Sequence, residues 1–105
     1  MTKRSLALNP GADFDIKDVL SHYQAQQAFQ AGEVFLIELD RCLKFVQTFP
    51  KAGSLRLGHE LGRRNIRTWP MNKFPFLLLY KETQSRVDIL RVLHQSSDIP
   101  RWLKD

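Results

Sequence analysis

Arg91 and His94 stand in a mostly apolar run, Val87-Asp88-Ile89-Leu90-Arg91-Val92-Leu93-His94, where an ionised side chain is costly to bury. A guanidinium there needs either a buried carboxylate or a groove that takes its charge. Asp88 and Glu38 are the carboxylates to hand for the first case. An acidic partner would answer the second. Tyr80 closes the preceding run, Phe74-Pro75-Phe76-Leu77-Leu78-Leu79-Tyr80. With Arg67 and Lys73, these side chains can in principle supply a general base, a general acid and cations for developing negative charge. His94 is the only histidine at a strand end, for His59 falls in a basic loop and His22 among polar residues. It equally suits a structural hydrogen bond or a partner contact.

Charge is concentrated. Between positions 51 and 73 lie Lys51, Arg56, Arg63, Arg64, Arg67 and Lys73 against Glu60 alone, so this window holds the whole net charge of +5. Localised positive charge attracts nucleic acid or an acidic protein segment, although a solvated basic loop has the same composition. Arg67 carries the window into a strand, which favours a partner-binding role. Trp69 beside it can pack or stack on a base.

Other chemistry finds little support. The three histidines and the single cysteine have no metal-ligand spacing, and the glycines from Gly53 to Gly62 lack the phosphate-loop pattern. No cofactor is expected. Cys42 falls on an apolar helical stripe and reads as an inert core thiol, without an internal disulfide partner. No helix carries a basic face for reading DNA. The longest apolar run, Phe76 to Tyr80, is far too short to span a bilayer, and the basic start Met1-Thr2-Lys3-Arg4 leads into no signal-peptide core. A cytoplasmic protein is expected.

The elements that must position these residues follow from periodicity. The 105 residues suit one domain, 1–105. Ser5 to Asn9 reads as a strand closed by Asn9-Pro10-Gly11. Asp13 reads as the N-cap of a helix from about Phe14 to about Gln26, with Ile16, Val19, Leu20 and Tyr23 on one face. A glutamine-rich break leads to a second helix, whose stripe is Phe35, Leu39, Cys42, Leu43, Val46 and Phe49 and whose end is Pro50. Asn65 to Trp69 alternates, with Ile66 and Thr68 opposite Arg67 and Trp69, and Pro70 marks a strand end or an edge. The runs ending at Tyr80 and His94 form a hairpin. In the second, Val87, Ile89, Arg91 and Leu93 should share one face, and Asp88, Leu90, Val92 and His94 the other. Residues 98–103 read as a terminal turn or short helix, with Trp102 on the sheet. The order β-α-α-β-β-β predicts an α+β fold: a helical hairpin on one face of a small antiparallel sheet, the other face partly free.

The ordered set of Phe35-Leu36-Ile37-Glu38-Leu39-Asp40, Phe49-Pro50, Asn65-Ile66-Arg67, Phe74 to Tyr80 and Val87 to His94 resembles the ParE/RelE superfamily of bacterial toxins, in its ParE branch. The resemblance covers nearly the whole chain. It implies a toxin that arrests growth, as in plasmid stabilisation, and forms a hetero-oligomer with a cognate antitoxin whose acidic tail wraps it. For the ParE branch the implied target is DNA gyrase and the chain is not an enzyme. For the RelE branch it is an endoribonuclease acting on mRNA in the ribosome, with His94, Arg91 and Tyr80 as the catalytic candidates. Arg63, Arg64, Arg67, Lys73, Arg91 and His94 are the expected partner-binding residues, Arg67 and Arg91 sharing one cationic trough. Where the superfamily often carries an arginine after the histidine, this chain has Ser97.

Overall fold

The computed structural model describes residues 4–96. Strand β1 (Ser5–Leu8) leads into helices α1 (Pro10–Ala25) and α2 (Phe29–Thr48). A 3-10 turn (Pro50–Ala52) and a short helix α3 (Arg56–Glu60) follow, then β2 (Arg67–Pro70), β3 (Phe76–Glu82) and β4 (Arg86–His94). The fold is α+β, as the order of elements predicts. The expected terminal turn or helix, Trp102 and Ser97 lie outside the described residues.

Strand order is β1-β4-β3-β2. The sheet is mixed, which corrects the antiparallel expectation: β1 runs parallel to β4, with Leu6 opposite Val87 and Leu8 opposite Ile89. Sequence periodicity marks a strand but not its partner, and this partner lies some eighty positions downstream. β3 is internal, so Leu78, Leu79 and Tyr80 are buried in succession on both faces. β2 is the edge that Pro70 indicates, and a bridge from Ser54 to Thr68 covers its outer side.

α1 begins four residues before the expected Phe14. Asn9 occupies the N-cap position, Pro10 opens the helix, and Asp13 sits in its first turn. Gln27 takes a left-handed φ of 57° in the break between the helices. Phe35, Leu39, Cys42 and Val46 are buried as their spacing demands, but Phe49 is 57% exposed, because α2 stops at Thr48 and the stripe turns away from the sheet. Phe35 meets Phe74 and Phe76 edge to face at 5.6 and 5.4 Å, which locks α2 onto β3.

Two apolar clusters flank the sheet. The larger joins Phe35, Leu39, Cys42 and Val46 to Leu78, Tyr80, Val87, Ile89 and Val92. The smaller joins Leu61, Ile66 and Leu79 to Leu57, Leu77, Leu90 and Leu93. The face expected to be partly free is therefore occupied by the basic loop itself, folded around α3. A bulge decides which β4 residues face which cluster. Leu79 pairs with Arg91 and Tyr80 with Ile89, leaving Leu90 without a partner. One extra residue reverses the alternation, so Val92 joins Val87 and Ile89 toward the helices while Leu90 and Leu93 face the loop. That corrects the regular alternation expected along this strand.

Candidate functional site

Arg91 lies where β1 has run out. The last bond between the two strands is Asn9 N–H to the Ile89 carbonyl at 2.9 Å. Past it the β4 edge would face α1 with an open N–H at Val92. Asp15 of α1 fills that place. Its Oδ2 accepts from Val92 N–H at 2.9 Å and from Arg91 Nε at 2.7 Å, and its Oδ1 accepts from Arg91 Nη2 at 2.8 Å. Gly11 lets the first turn of α1 come this close, since a Cβ there would sit 2.9 Å from Arg91 Cδ. The carboxylate hydrogen bonds raise the guanidinium pKa further above its ordinary value, burial opposing them. The partner of Arg91 is thus Asp15, not Asp88 or Glu38. Asp88 takes Arg86 at 2.6 Å and Glu38 takes Arg41 at 3.0 Å. An acid on the apolar stripe of α1, following Ala12 and preceding Val19, was the signal that could have identified it.

Arg67 turns the other way. Its Nη1 donates to the carbonyls of Gly53 at 2.9 Å and Lys51 at 3.3 Å. Tyr80, its partner across the strands, reaches the same turn. The Tyr80 hydroxyl donates to the Pro50 carbonyl at 2.7 Å and accepts from Gly53 N–H at 2.9 Å. A Cβ on Gly53 would run into that hydroxyl. The ring is fully buried, so the hydroxyl of this catalytic candidate is sealed inside. The two arginines do not share a trough. Arg91 closes a strand edge under α1, and Arg67 ties down the turn after α2.

His94 belongs to a third place. It is exposed, stands edge-on to Phe76 at 5.6 Å, and accepts at Nδ1 from Ser96 N–H at 3.1 Å. It lines a cleft of about 390 Å³ with Asp18, His22, Tyr23, Gln26, Pro75 and Phe76. Arg64 and Lys73 are exposed and Arg63 half-buried. Lys73 holds a left-handed φ of 69° in the link from β2 to β3. Trp69 packs: it stacks on Phe45 at 4.7 Å. Among the described residues no three histidine, cysteine or carboxylate side chains gather as a metal site, and no helix is long and apolar enough to cross a membrane.

Two buried groups set an alkaline limit. Burial pushes the Cys42 thiol and the Tyr80 hydroxyl above their ordinary values of 9.0 and 10.0. At Tyr80 the Gly53 N–H and the Arg67 charge oppose the rise, and at Cys42 the Glu38 charge adds to it. The fold favours the protonated form of both, so their support is complete below the ordinary values. It is lost as pH rises from there through the raised ones. Urea midpoints are expected to hold up to about pH 9 and fall above it, and Tyr80→Phe should flatten the part of the decline above about pH 10.

A match to the family described as "ParE toxin of type II toxin-antitoxin system, parDE" spans residues 6–99. No curated protein matches the chain. Among solved structures, one titled "Chromosomal ParDE TA system from P. aeruginosa" superposes with a TM-score of 0.72 at 18% identity, covering 88% of this chain and 96% of that one. At that identity it speaks for the fold alone. The family match, running from the first strand past the last, shows that the chain belongs to the ParE toxins of type II toxin–antitoxin systems.

Proposed function

We propose that the chain acts by binding, as a cytoplasmic inhibitor of DNA gyrase that a cognate antitoxin neutralises, and is not itself a nuclease. One observation carries this reading. The side chains that RNA cleavage would have to bring together are held apart. The Tyr80 hydroxyl is spent on Pro50 and Gly53 inside the core, Arg91 is clamped by Asp15, and His94 opens on a separate cleft. A positioned acid or base contributes about 10²–10⁴-fold only when it reaches the reacting atoms, and these do not converge on one point.

What remains on the surface suits recognition. Arg56 and Arg64 are exposed on the loop that covers one sheet face, Lys73 is exposed in the link from β2 to β3, and they offer charge to an acidic partner at small desolvation cost. Arg63 belongs to the same loop, half-buried. Arg67 and Arg91 act in this reading by fixing the backbone beneath the binding surface.

The purified chain is expected to inhibit gyrase supercoiling while leaving mRNA intact in a translating extract. Its expression alone should arrest growth, and co-expression of the adjacent reading frame should relieve the arrest. Cleavage of mRNA at the ribosome, lost in His94→Ala, would reverse the assignment in favour of an endoribonuclease.

A further inference from the structure

Six of the eight large apolar side chains most exposed in the described structure, Phe29, Val34, Leu36, Ile37, Phe45 and Phe49, belong to α2 or to the residue that ends it. Phe29 and Leu36 line a hollow of about 280 Å³ that also contains Glu33, whereas Phe45 and Phe49 wall a larger one. Phe45 lies between Trp69, nearly parallel to it with ring centres 4.7 Å apart, and Phe49 at 5.3 Å. Beside these rings is a shallow cleft of about 620 Å³, lined by Arg4, Phe45, Thr48, Phe49, Pro50, Lys51 and Ala52.

We propose that this aromatic shelf docks an acidic amphipathic segment of a partner protein, whose large apolar side chains fill the cleft and whose carboxylates meet Lys51 and Arg4. Charge selects the occupant. No carboxylate lines the cleft, Lys51 is exposed with no ion pair among the described residues, and Lys51 begins the window that holds the net charge of the chain. Arg4 keeps a third of its side chain exposed although its Nη2 lies 3.4 Å from Glu82. An acidic chain is drawn toward such a rim and a basic one repelled.

Rigidity makes the shelf useful. The turn carrying Pro50 and Lys51 is fastened from beneath by the Tyr80 hydroxyl on the Pro50 carbonyl and by Arg67 on the carbonyls of Lys51 and Gly53. Phe49 N–H is bonded to the Phe45 carbonyl at 2.8 Å. A surface already ordered before binding loses little entropy when it is covered. Stacked aromatics that remain half-exposed are the kind of anchor on which interface energy concentrates. The shallow, open form suits a helix laid across it. The inference rests on the toxin reading only in assigning the segment to the antitoxin.

Trp69 is a built-in reporter once Trp102→Phe removes the other tryptophan. The probe is a synthetic glutamate-rich peptide with leucine and phenylalanine at i, i+3, i+4 and i+7. One control replaces its apolar anchors with alanine and another its glutamates with lysine. The first peptide should change Trp69 emission in a saturable way and bind at least tenfold more tightly than either control. Added salt should weaken it, and Phe49→Ser and Lys51→Glu should each weaken it tenfold or more. Urea melts verify that both variants fold, and Lys51→Glu, at an exposed side chain, carries the test should Phe49→Ser fail to fold. Equal binding by the lysine peptide, no response of Trp69, or affinity unchanged in the folded variants would each overturn the docking site. Growth arrest without peptide binding removes the site and leaves the toxin reading intact. Peptide binding without growth arrest does the reverse.

Discussion

Asp15→Ala is expected to destabilise the fold by about 3–5 kcal/mol, the usual cost of stripping one partner from a buried ion pair. The side chains of Arg91 and Asp15 are 19% and 9% exposed, so water cannot replace the lost carboxylate without opening the edge. Three donors lose their acceptor at once: Arg91 Nε, Arg91 Nη2 and the Val92 N–H. A loss of that size is a large part of the total stability of a small domain, which is about 5–15 kcal/mol. Asp15→Asn should fall in between, since an amide oxygen still accepts from Val92 while its NH₂ opposes the guanidinium. Asp15→Leu combined with Arg91→Met should cost less than Asp15→Ala alone, because both members of the buried pair are then replaced by apolar side chains. Urea denaturation of the two single variants and the double variant measures all three against the parent. If Asp15→Ala melts with the parent, Asp15 is not what holds the β4 edge.

Tyr80→Phe removes only one oxygen, yet it should cost about 2–6 kcal/mol. The Pro50 carbonyl and the Gly53 N–H both lie against the buried ring and both lose their partner. Leaving a buried polar group unsatisfied costs about 1–3 kcal/mol each, which sets the range. A local effect should accompany the global one. Hydrogen exchange at Gly53 should accelerate more than at the β3–β4 ladder, because the turn at Pro50–Ala52 would keep only Arg67 as its side-chain fastening. Exchange that quickens uniformly would mean that the hydroxyl serves the core and not the turn.

Much of this architecture was legible in the chain. The i, i+4 and i+3 spacing from Phe35 to Val46 gave the buried stripe of α2, and the bounds of β4 agree with the apolar run that defined it. What escaped notice has physical reasons. The bulge at Leu90 is silent because leucine suits either face of the sheet. The helix α3 has five residues, too few for a periodic signal, and includes a glycine. Tyr80 and Arg67 bind backbone carbonyls and an N–H, groups that every residue carries and that no sequence pattern distinguishes. Asp15 stands on the first helix, and Arg91 reads as a strand cation with Asp88 or Glu38 as its nearest candidate partners. Their pairing across seventy-six positions was not visible. That pairing is also why a common cationic groove does not form.

β4 is the last described strand in the chain yet an inner strand of the sheet, with β1 on one side and β3 on the other. While the chain is being synthesised, the two long helices can find each other, but β1 has nothing to lie against until the final third has emerged. Closing a loop of that length carries an entropic cost that only the completed sheet offsets, so maturation should be late and cooperative. Nascent chains and products truncated before Arg86 would lack the spine of the sheet and should be harmless, degradable polypeptides. A toxin whose sheet closes only after β4 has emerged has no folded form as any shorter nascent chain.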